Sequence, residues 1–505
     1  MKAIMVVGTT SNAGKSLLTA AICRILSRRS WRVAPFKGQN MALNAYVTSN
    51  GGEIGHAQAV QAWAAGVTPK VEMNPILLKP QGDSTSQVIL KGRAIGRISA
   101  ADYYEQFFET GWQAIEESLS RLSEEFDLLV CEGAGSPAEI NLKHRDLTNM
   151  RVAKHLNAPT ILVVDIDRGG AFAHVVGTLE LLDPDERDLI KGVVINKFRG
   201  QRSILQPGID WLQERTGIPV IGVIPYLDQT FPAEDSLALL DRQTSSTTKD
   251  LTIAVIRLPR ISNFTDFDPL EAEPTVNVRY VGPKDSLGYP DAVIIPGSKT
   301  TIADLIALQR TGLAEAIQNY ATAGGTVLGI CGGYQIMGKM LADPEGIEGQ
   351  EGRYRGLSLL PLRTVITGQK ITRQRLVSSN FPQAGLPVSG YEIHQGRSHL
   401  EPSDAEGGIS YRAMFDDQNL GVVDMTQSIW GTYLHGIFDN GPWRRAWLNR
   451  LRQQRGLKSL PTGISNYRDQ REAMLEALAD AIDPHLDLTS IMKALDAPQT
   501  SEAKK

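Results

Sequence analysis

The chain has 505 residues, of which 21% are charged and 42% hydrophobic, and its formal net charge is −4. That length is too great for one core and implies about two to four domains. The charge balance excludes the broad basic surface that binds nucleic acid, and no apolar stretch is long enough to span a bilayer.

In the first half, short β-branched runs alternate with helical patterns. The runs are AIMVV (3–7), DLLVC (127–131), TILVVD (160–165), GVVIN (192–196) and PVIGVIP (219–225). Near-continuous apolar runs of this length read as strands covered on both faces, and helices between them imply a parallel, doubly wound sheet. A polar stretch without periodicity, DRQTSSTTKD (241–250), reads as a linker. A second set of runs follows: TIAVIRL (252–258), VNVRYV (276–281), AVIIPG (292–297) and TVLGIC (326–331). The expected organisation is α/β with two doubly wound domains. Residues 1–240 form the first, 241–250 the linker and 251–447 the second, followed by a helical segment and disordered tail over 448–505. The cysteines are Cys23, Cys131 and Cys331. Three scattered cysteines make neither a disulfide framework nor a zinc cluster, which fits a reducing cytoplasm.

The run GTTSNAGKS (8–16) lies between the first strand and the helical pattern SLLTAAICRILSRR (16–29), the setting a phosphate-binding loop requires. Backbone N–H groups along Thr10, Asn12, Ala13 and Gly14 can face phosphate oxygens, and the helix N-terminus adds a favourable dipole. Lys15 can neutralise the β and γ phosphates of ATP, and the Ser16 hydroxyl can ligate Mg2+. Gly8 stands six positions before Gly14. This longer spacing resembles the loop of dethiobiotin synthetase. A partition-type switch ATPase would carry a second lysine at position 10, where this chain has Thr10. CEGAGS (131–136) follows a strand and again resembles dethiobiotin synthetase. Its Glu132 is a candidate Mg2+ ligand or, alternatively, a solvated loop acid. Asn196 ends GVVIN, where that family reads adenine; the bland alternative is a turn residue. Asp146, within EINLKHRDLTNM (139–150), can position Mg2+ or ammonium, or cap a helix.

In the second half, GICGG (329–333) fits a nucleophile elbow between the strand TVLGI and the helical pattern YQIMGKML (334–341). Such a turn lifts the Cys331 side chain above the sheet edge, and a helix N-terminus favours the thiolate. The Gly332 N–H can face a developing oxyanion, and Gly297, in PGSKTT (296–301), can supply a second donor. The thiol needs a proton partner, and His435 in TYLHGIF (432–438) is the candidate. Cys23 and Cys131 sit in a helical stripe and a strand and read as small buried hydrophobes.

GICGGYQIMG and the downstream histidine resemble a class I glutamine amidotransferase domain. The resemblance implies attack of Cys331 on the glutamine amide, a thioester, release of ammonia and hydrolysis to glutamate. Most members place Pro and then Glu after the histidine, and that glutamate orients the imidazole. Here His435 is followed by Gly436 and Ile437. Either Cys331 and His435 act as a dyad, or another group orients His435. A dethiobiotin-synthetase-like ATPase fused to such a glutaminase resembles the cobyric acid / cobyrinic acid a,c-diamide synthase family of cobalamin biosynthesis. FKGQNMALNA (36–45), EINLKHRDLTNM, RLPRISNFTDFDPL (257–270) and GYEIHQGRS (390–398) point to the cobyric acid branch. The resemblance covers nearly the whole chain. It implies ATP, Mg2+ and glutamine as reactants. The implied substrate is the corrinoid adenosylcobyrinic acid a,c-diamide, amidated at carboxylates b, d, e and g through acyl phosphates. HRDLTN, DRGG (167–170) and NKFRG (196–200) are places where such a ligand can dock, and His394 is expected to be structural. The competing readings are an a,c-diamide synthase, an amidase of a cell-wall lipid precursor, and a non-enzymatic nucleotide-gated sensor.

Overall fold

A computed structural model describes residues 1–82, 85–99, 102–103, 107–227, 249–401 and 411–496. Residues 241–248 of the expected linker and the expected tail, 497–505, lie outside the described residues.

The first half is built on a six-stranded parallel sheet in the order Val220–Pro225, Ile190–Phe198, Thr160–Asp165, Lys2–Gly8, Leu128–Glu132, Val33–Phe36. The five apolar runs read from the sequence all lie in it. The sixth strand, VAPF, is short and starts no hydrophobic run, so it escapes a pattern search. The phosphate-loop helix spans Lys15–Arg28, and its Ile22, Cys23 and Leu26 pack into the sheet face. A second, smaller sheet, formed by Gln39–Met41, Ile76–Pro80, Thr85–Leu90 and Arg93–Ser99, extends from this half and has no counterpart in the sequence reading.

The second half carries a seven-stranded sheet in the order Val276–Val281, Leu251–Ile256, Ala292–Ile295, Thr326–Ile330, Ile429–Thr432, Gly421–Asp424, Tyr411–Ala413. The first five strands are parallel, and the last two are antiparallel additions at the edge. The expected helix over 334–341 is shorter than its pattern. It runs only Gly332–Ile336, and Met340–Asp343 is a strand that pairs with Gly352–Arg355 and with a long strand, Leu362–Ser378. That long strand forms a hairpin with Pro387–Leu400, the chief element of this half that reaches the other.

An apolar cluster and a buried ion cluster lie where the hairpin meets the first half. Ala42, Ala45, Val47, Leu77 and Ile89 from the first pack with Tyr391 and Ile393 of the hairpin in one apolar cluster. Beside it, Glu53 Oε1 accepts from Lys79 Nζ at 2.7 Å, and its other oxygen accepts from Lys370 of the second half. Burial opposes the Glu53 charge, but the two lysines hold its pKa down to about 2. The C-terminal segment also differs from the expected division. Helix Gly441–Gln454 crosses the 447/448 boundary and belongs to the second half. Helix Tyr467–Ile482 and residues up to Ile491 return to the first half. Leu475, Leu478, Ile482 and Ile491 complete the core behind the phosphate-loop helix. Among the described residues no helix is long and apolar enough to cross a membrane.

Replacing Glu53 by Gln leaves Lys79 and Lys370 buried without their counterion. Removing one partner of a buried ion pair typically costs about 3–5 kcal/mol. Glu53→Gln is expected to lower the urea midpoint accordingly, and an unchanged midpoint would show that the cluster contributes nothing to docking.

Candidate functional site

Each sheet presents one site at the carboxyl ends of its parallel strands, where α/β sheets bind ligands. In the first half the loop after Lys2–Gly8 wraps the start of its helix. Asn12 and Gly14 take positive φ values of 61° and 96°, the left-handed backbone from which anion-binding turns are built. A Cβ on Gly14 would lie 2.1 Å from Asn196 Nδ2, so only glycine fits there. Asn196 Nδ2 donates to the Ala13 carbonyl at 2.9 Å and Lys197 Nζ to the Asn12 carbonyl at 2.8 Å, so the end of strand Ile190–Phe198, two strands away, braces the loop. Lys15 Nζ donates to the Thr10 and Gly135 carbonyls, across the space the loop encloses.

Glu132 is buried, not a solvated loop acid. Its Oε1 accepts from the Ser16 hydroxyl at 2.7 Å and from Lys37 Nζ at 3.1 Å, and its Oε2 accepts from Gln61 Nε2 at 2.6 Å. Gln61 Oε1 and Thr9 Oγ1 are buried with no hydrogen-bond partner, two polar atoms left over at the loop. This donor set fits Mg2+, which takes one or two protein oxygens and keeps several waters. Among the described residues no group of three or more His, Cys, Asp or Glu is gathered to form an all-protein metal cage. Asp146 sits at the start of helix Met150–Leu156, where its oxygens accept from the N–H groups of Thr148, Asn149 and Arg151 at 2.8–3.1 Å. Of the readings left open for it, this geometry is that of a helix cap.

In the second half the strand Thr326–Ile330 ends at Cys331, whose φ of 52° and ψ of −107° are unusual for a residue with a Cβ. The glycines around it explain why the turn is possible. A Cβ on Gly333 would lie 1.9 Å from the Ile295 carbonyl oxygen, and one on Gly329 would lie 2.4 Å from Met337 Sδ. Cys331 precedes the short helix, so the Gly332 N–H is among those a helix cannot satisfy internally. Gly297 lies on the opposite wall: a Cβ there would come 3.1 Å from His435 Cε1. Cys23 and Cys131 are fully buried, and burial pushes both thiols up, as suits inert core cysteines.

His435 follows the strand Ile429–Thr432 and pairs through its backbone with Tyr391. Its Nδ1 is 2.7 Å from Asp266 Oδ2, and both side chains are buried. Asp266 Oδ1 accepts from the Gly436 N–H at 2.9 Å, which fixes the carboxylate from a second direction. Burial disfavours the imidazolium. The carboxylate of Asp266 and the hydrogen-bonded Cys331 outweigh that and raise its pKa to about 10. The missing acid is therefore supplied by Asp266, in the short 3-10 turn Phe264–Phe267. It lies within RLPRISNFTDFDPL, a stretch quoted from the sequence without a role. Nothing local marks it, because 169 residues separate it from His435. His394 stacks on Tyr433 at 3.7 Å, its ring nitrogens meet Glu392 and the Gly396 carbonyl, and it lines the cavity beside Cys331.

Ser298, Lys299, Gln335, Glu348 and Lys370 line a small polar cavity beside Cys331, which Lys79 of the first half helps to close. Burial, Lys370 and Lys79 push the Lys299 ammonium well below its ordinary pKa, while burial pushes the Glu348 carboxyl up. A zwitterionic amino acid would supply charges of both signs to these groups.

A phosphate loop over one sheet and a Cys–His–Asp triad over the other define a glutamine-dependent, ATP-using amidotransferase. Residues 4–237 match the CobQ/CobB/MinD/ParA nucleotide binding domain, and residues 252–443 match the CobB/CobQ-like glutamine amidotransferase domain. A cobyric acid synthase of Nostoc sp. is 77% identical over 493 residues, covering 97% of this chain and 99% of that protein. Cobyric acid synthases of Trichormus variabilis and Nostoc punctiforme are 78% and 77% identical, each across 97% of this chain and 99% and 100% of their own lengths. The chain belongs to the cobyric acid synthase family.

With Asp266→Asn the imidazolium loses the charge that raises its pKa. Its pKa then falls from about 10 toward the ordinary 6.5, so the alkaline limb of glutamine hydrolysis moves to lower pH. The rate at neutral pH should fall about 100-fold or more, the scale of general acid–base catalysis. A pH–rate profile matching the parent's would remove Asp266 from the triad.

Proposed function

We propose that the chain is an adenosylcobyric acid synthase. It amidates side-chain carboxylates of adenosylcobyrinic acid a,c-diamide at positions b, d, e and g, with glutamine as nitrogen donor and ATP as activator. The observation that carries this reading is the pairing of the two sites in one chain with near-full-length identity to cobyric acid synthases. The a,c-diamide synthase alternative is not favoured, since the relatives matched at this identity are cobyric acid synthases.

A carboxylate resists ammonia because charge and resonance oppose attack. In the proposed reaction a substrate carboxylate oxygen attacks the γ-phosphorus of ATP, ADP leaves, and an acyl phosphate forms. Positioning and charge neutralisation dominate such a transfer. Lys15 and the loop amides of Thr10 to Ser16 neutralise the phosphates. Ser16 and Glu132 would hold Mg2+, which shields the phosphate oxygens when bound. Asn196 and Lys197 keep the loop in shape.

At the other site His435 holds the proton taken from Cys331, and the thiolate attacks the side-chain amide of glutamine. The Gly332 N–H would face the oxyanion, and Gly297, which pairs with Ser262 in a short antiparallel bridge, would have to turn its N–H from that bridge to add a second donor. His435 returns its proton to the leaving nitrogen, ammonia departs, and water then cleaves the thioester to glutamate. Lys299 and Lys370 would meet the α-carboxylate of glutamine and Glu348 its α-ammonium. Ammonia displaces phosphate from the acyl phosphate and gives the amide. Free ammonia is scarce near neutral pH, so release inside the same molecule has value. The reaction fits a cytoplasmic enzyme supplied with ATP.

Incubation of adenosylcobyrinic acid a,c-diamide with enzyme, glutamine and MgATP should lower the corrinoid mass by about one dalton per amidation. An unchanged mass with glutamine still hydrolysed would overturn the substrate and leave the two-site reading standing. Two variants separate the sites. Cys331→Ala should lose glutamine-driven product and retain ammonia-driven product. Lys15→Ala should lose both, and ammonia-driven synthesis at the parent's rate would take Lys15 out of phosphoryl transfer.

A further inference from the structure

The acid of the triad is held by the other half of the molecule. Asp266 stands three residues after Asn263, which adopts φ 53° and ψ 39° and is buried. The Asp266 N–H closes the turn on the Asn263 carbonyl at 3.0 Å, so the orientation of Asn263 sets that of Asp266. The partners of Asn263 and its neighbour include Asn44 and Ala45, buried residues of the first half. Asn44 Oδ1 accepts from the Phe264 N–H at 3.0 Å.

A closed ring of bonds lies alongside. The Ala45 N–H donates to Asn263 Oδ1 at 3.2 Å, Asn263 Nδ2 donates to the Tyr391 hydroxyl at 3.2 Å, and that hydroxyl donates to the Ala45 carbonyl at 3.2 Å. Each group donates to the next, an arrangement in which hydrogen bonds reinforce one another. Tyr391 in turn stacks on the His435 ring, with centroids 5.3 Å apart and planes inclined by 19°, and exchanges backbone hydrogen bonds with it. Both the acid and the base of the glutaminase are thus braced against residues 44–45. The same segment carries Lys37, bonded to Glu132 beside Ser16 at the phosphate loop. Ordinary packing between domains would not require polar side chains to converge on the two residues that orient the nucleophile's base.

We propose that Asn44 is a positioning residue for glutamine hydrolysis: through Phe264, and with the Ala45–Asn263–Tyr391 ring, the ATP-using half sets the Asp266–His435 pair. The inference rests on the reading of Cys331 and His435 as a glutaminase. The triad is in register only when the two halves are docked. Glutamine hydrolysis is then tied to the half that consumes the ammonia.

The test is Asn44→Ala in the full chain, assayed with glutamine and separately with ammonium chloride as nitrogen source. Glutamine-driven kcat should fall about 10- to 100-fold, the scale of a small misplacement of a reacting group. The KM for glutamine and the ammonia-driven rate should stay within about twofold of the parent, since Asn44 is not among the residues that line the glutamine cavity. Tyr391→Phe removes the ring's hydroxyl and keeps the aromatic face on His435, so it should shift kcat in the same direction by less. It decides the matter if Asn44→Ala does not fold. The proposal is overturned if both folded variants keep the parent's kcat, or if glutamine- and ammonia-driven rates fall together. Glutamine hydrolysis surviving in Cys331→Ala would instead defeat the glutaminase reading itself.

Discussion

The buried hydrogen bond between His435 Nδ1 and Asp266 Oδ2, 2.7 Å long, is the contact on which the glutaminase depends. An imidazole inside a protein ordinarily loses its proton. Here the Asp266 carboxylate and Cys331 outweigh burial and raise the His435 pKa to about 10. The geometry around this bond is over-determined. Gly436 fixes one carboxylate oxygen, the 3-10 turn fixes the backbone behind it, and Tyr391 lies flat on the imidazole. Cys331 itself adopts a strained backbone conformation, which persists because Gly329 and Gly333 let strand, turn and helix approach within contact distance.

The two active regions follow one architectural rule. Each sits where parallel strands end, and in each a glycine-rich turn feeds the start of a helix. The chemistry differs because the turn delivers different groups. In the first half it turns the chain over the start of the helix and brings Lys15 Nζ to the Thr10 and Gly135 carbonyls. In the second it lifts one thiol above the sheet. Docking then adds what neither half holds alone. Lys79 of the first half helps close the cavity beside Cys331, Glu53 neutralises lysines from both sides, and the C-terminal helices return to complete the first core. The molecule is therefore less divisible than its two domain matches imply.

Much of this was legible in the order of residues. The nine apolar runs are all strands; most are buried on both faces and need nothing beyond their own side chains to be recognised, while Val276–Val281 is a partly buried edge strand. The phosphate loop and the cysteine elbow are legible for a similar reason: glycine spacing, a following helix and one reactive residue lie within a dozen positions. The small sheet formed by Gln39–Met41, Ile76–Pro80, Thr85–Leu90 and Arg93–Ser99 is hard to read because Gln39–Met41 has only three residues and Arg93–Ser99 is mostly exposed, so both carry a weak pattern. The pattern YQIMGKML read as one helix, yet its second part became a strand, since pairing of Met340–Asp343 with the long hairpin overrides local preference.

Sequence by itself determined where the phosphate-loop pattern and the cysteine turn lie, because both patterns rest on residue type at fixed short spacing. Tertiary structure decided which groups support them. Asp266 became the partner of His435, Glu132 a buried neighbour of Ser16 and Lys37, Asp146 a helix cap, and Asn44 a brace across the domain boundary. A carboxylate or an amide carries no mark of its partner in the chain. Its role is set by the groups the fold places against it: for Asp266 and Glu132 these come from distant segments of the same half, for Asn44 from the other domain, and for Asp146 from the next few residues.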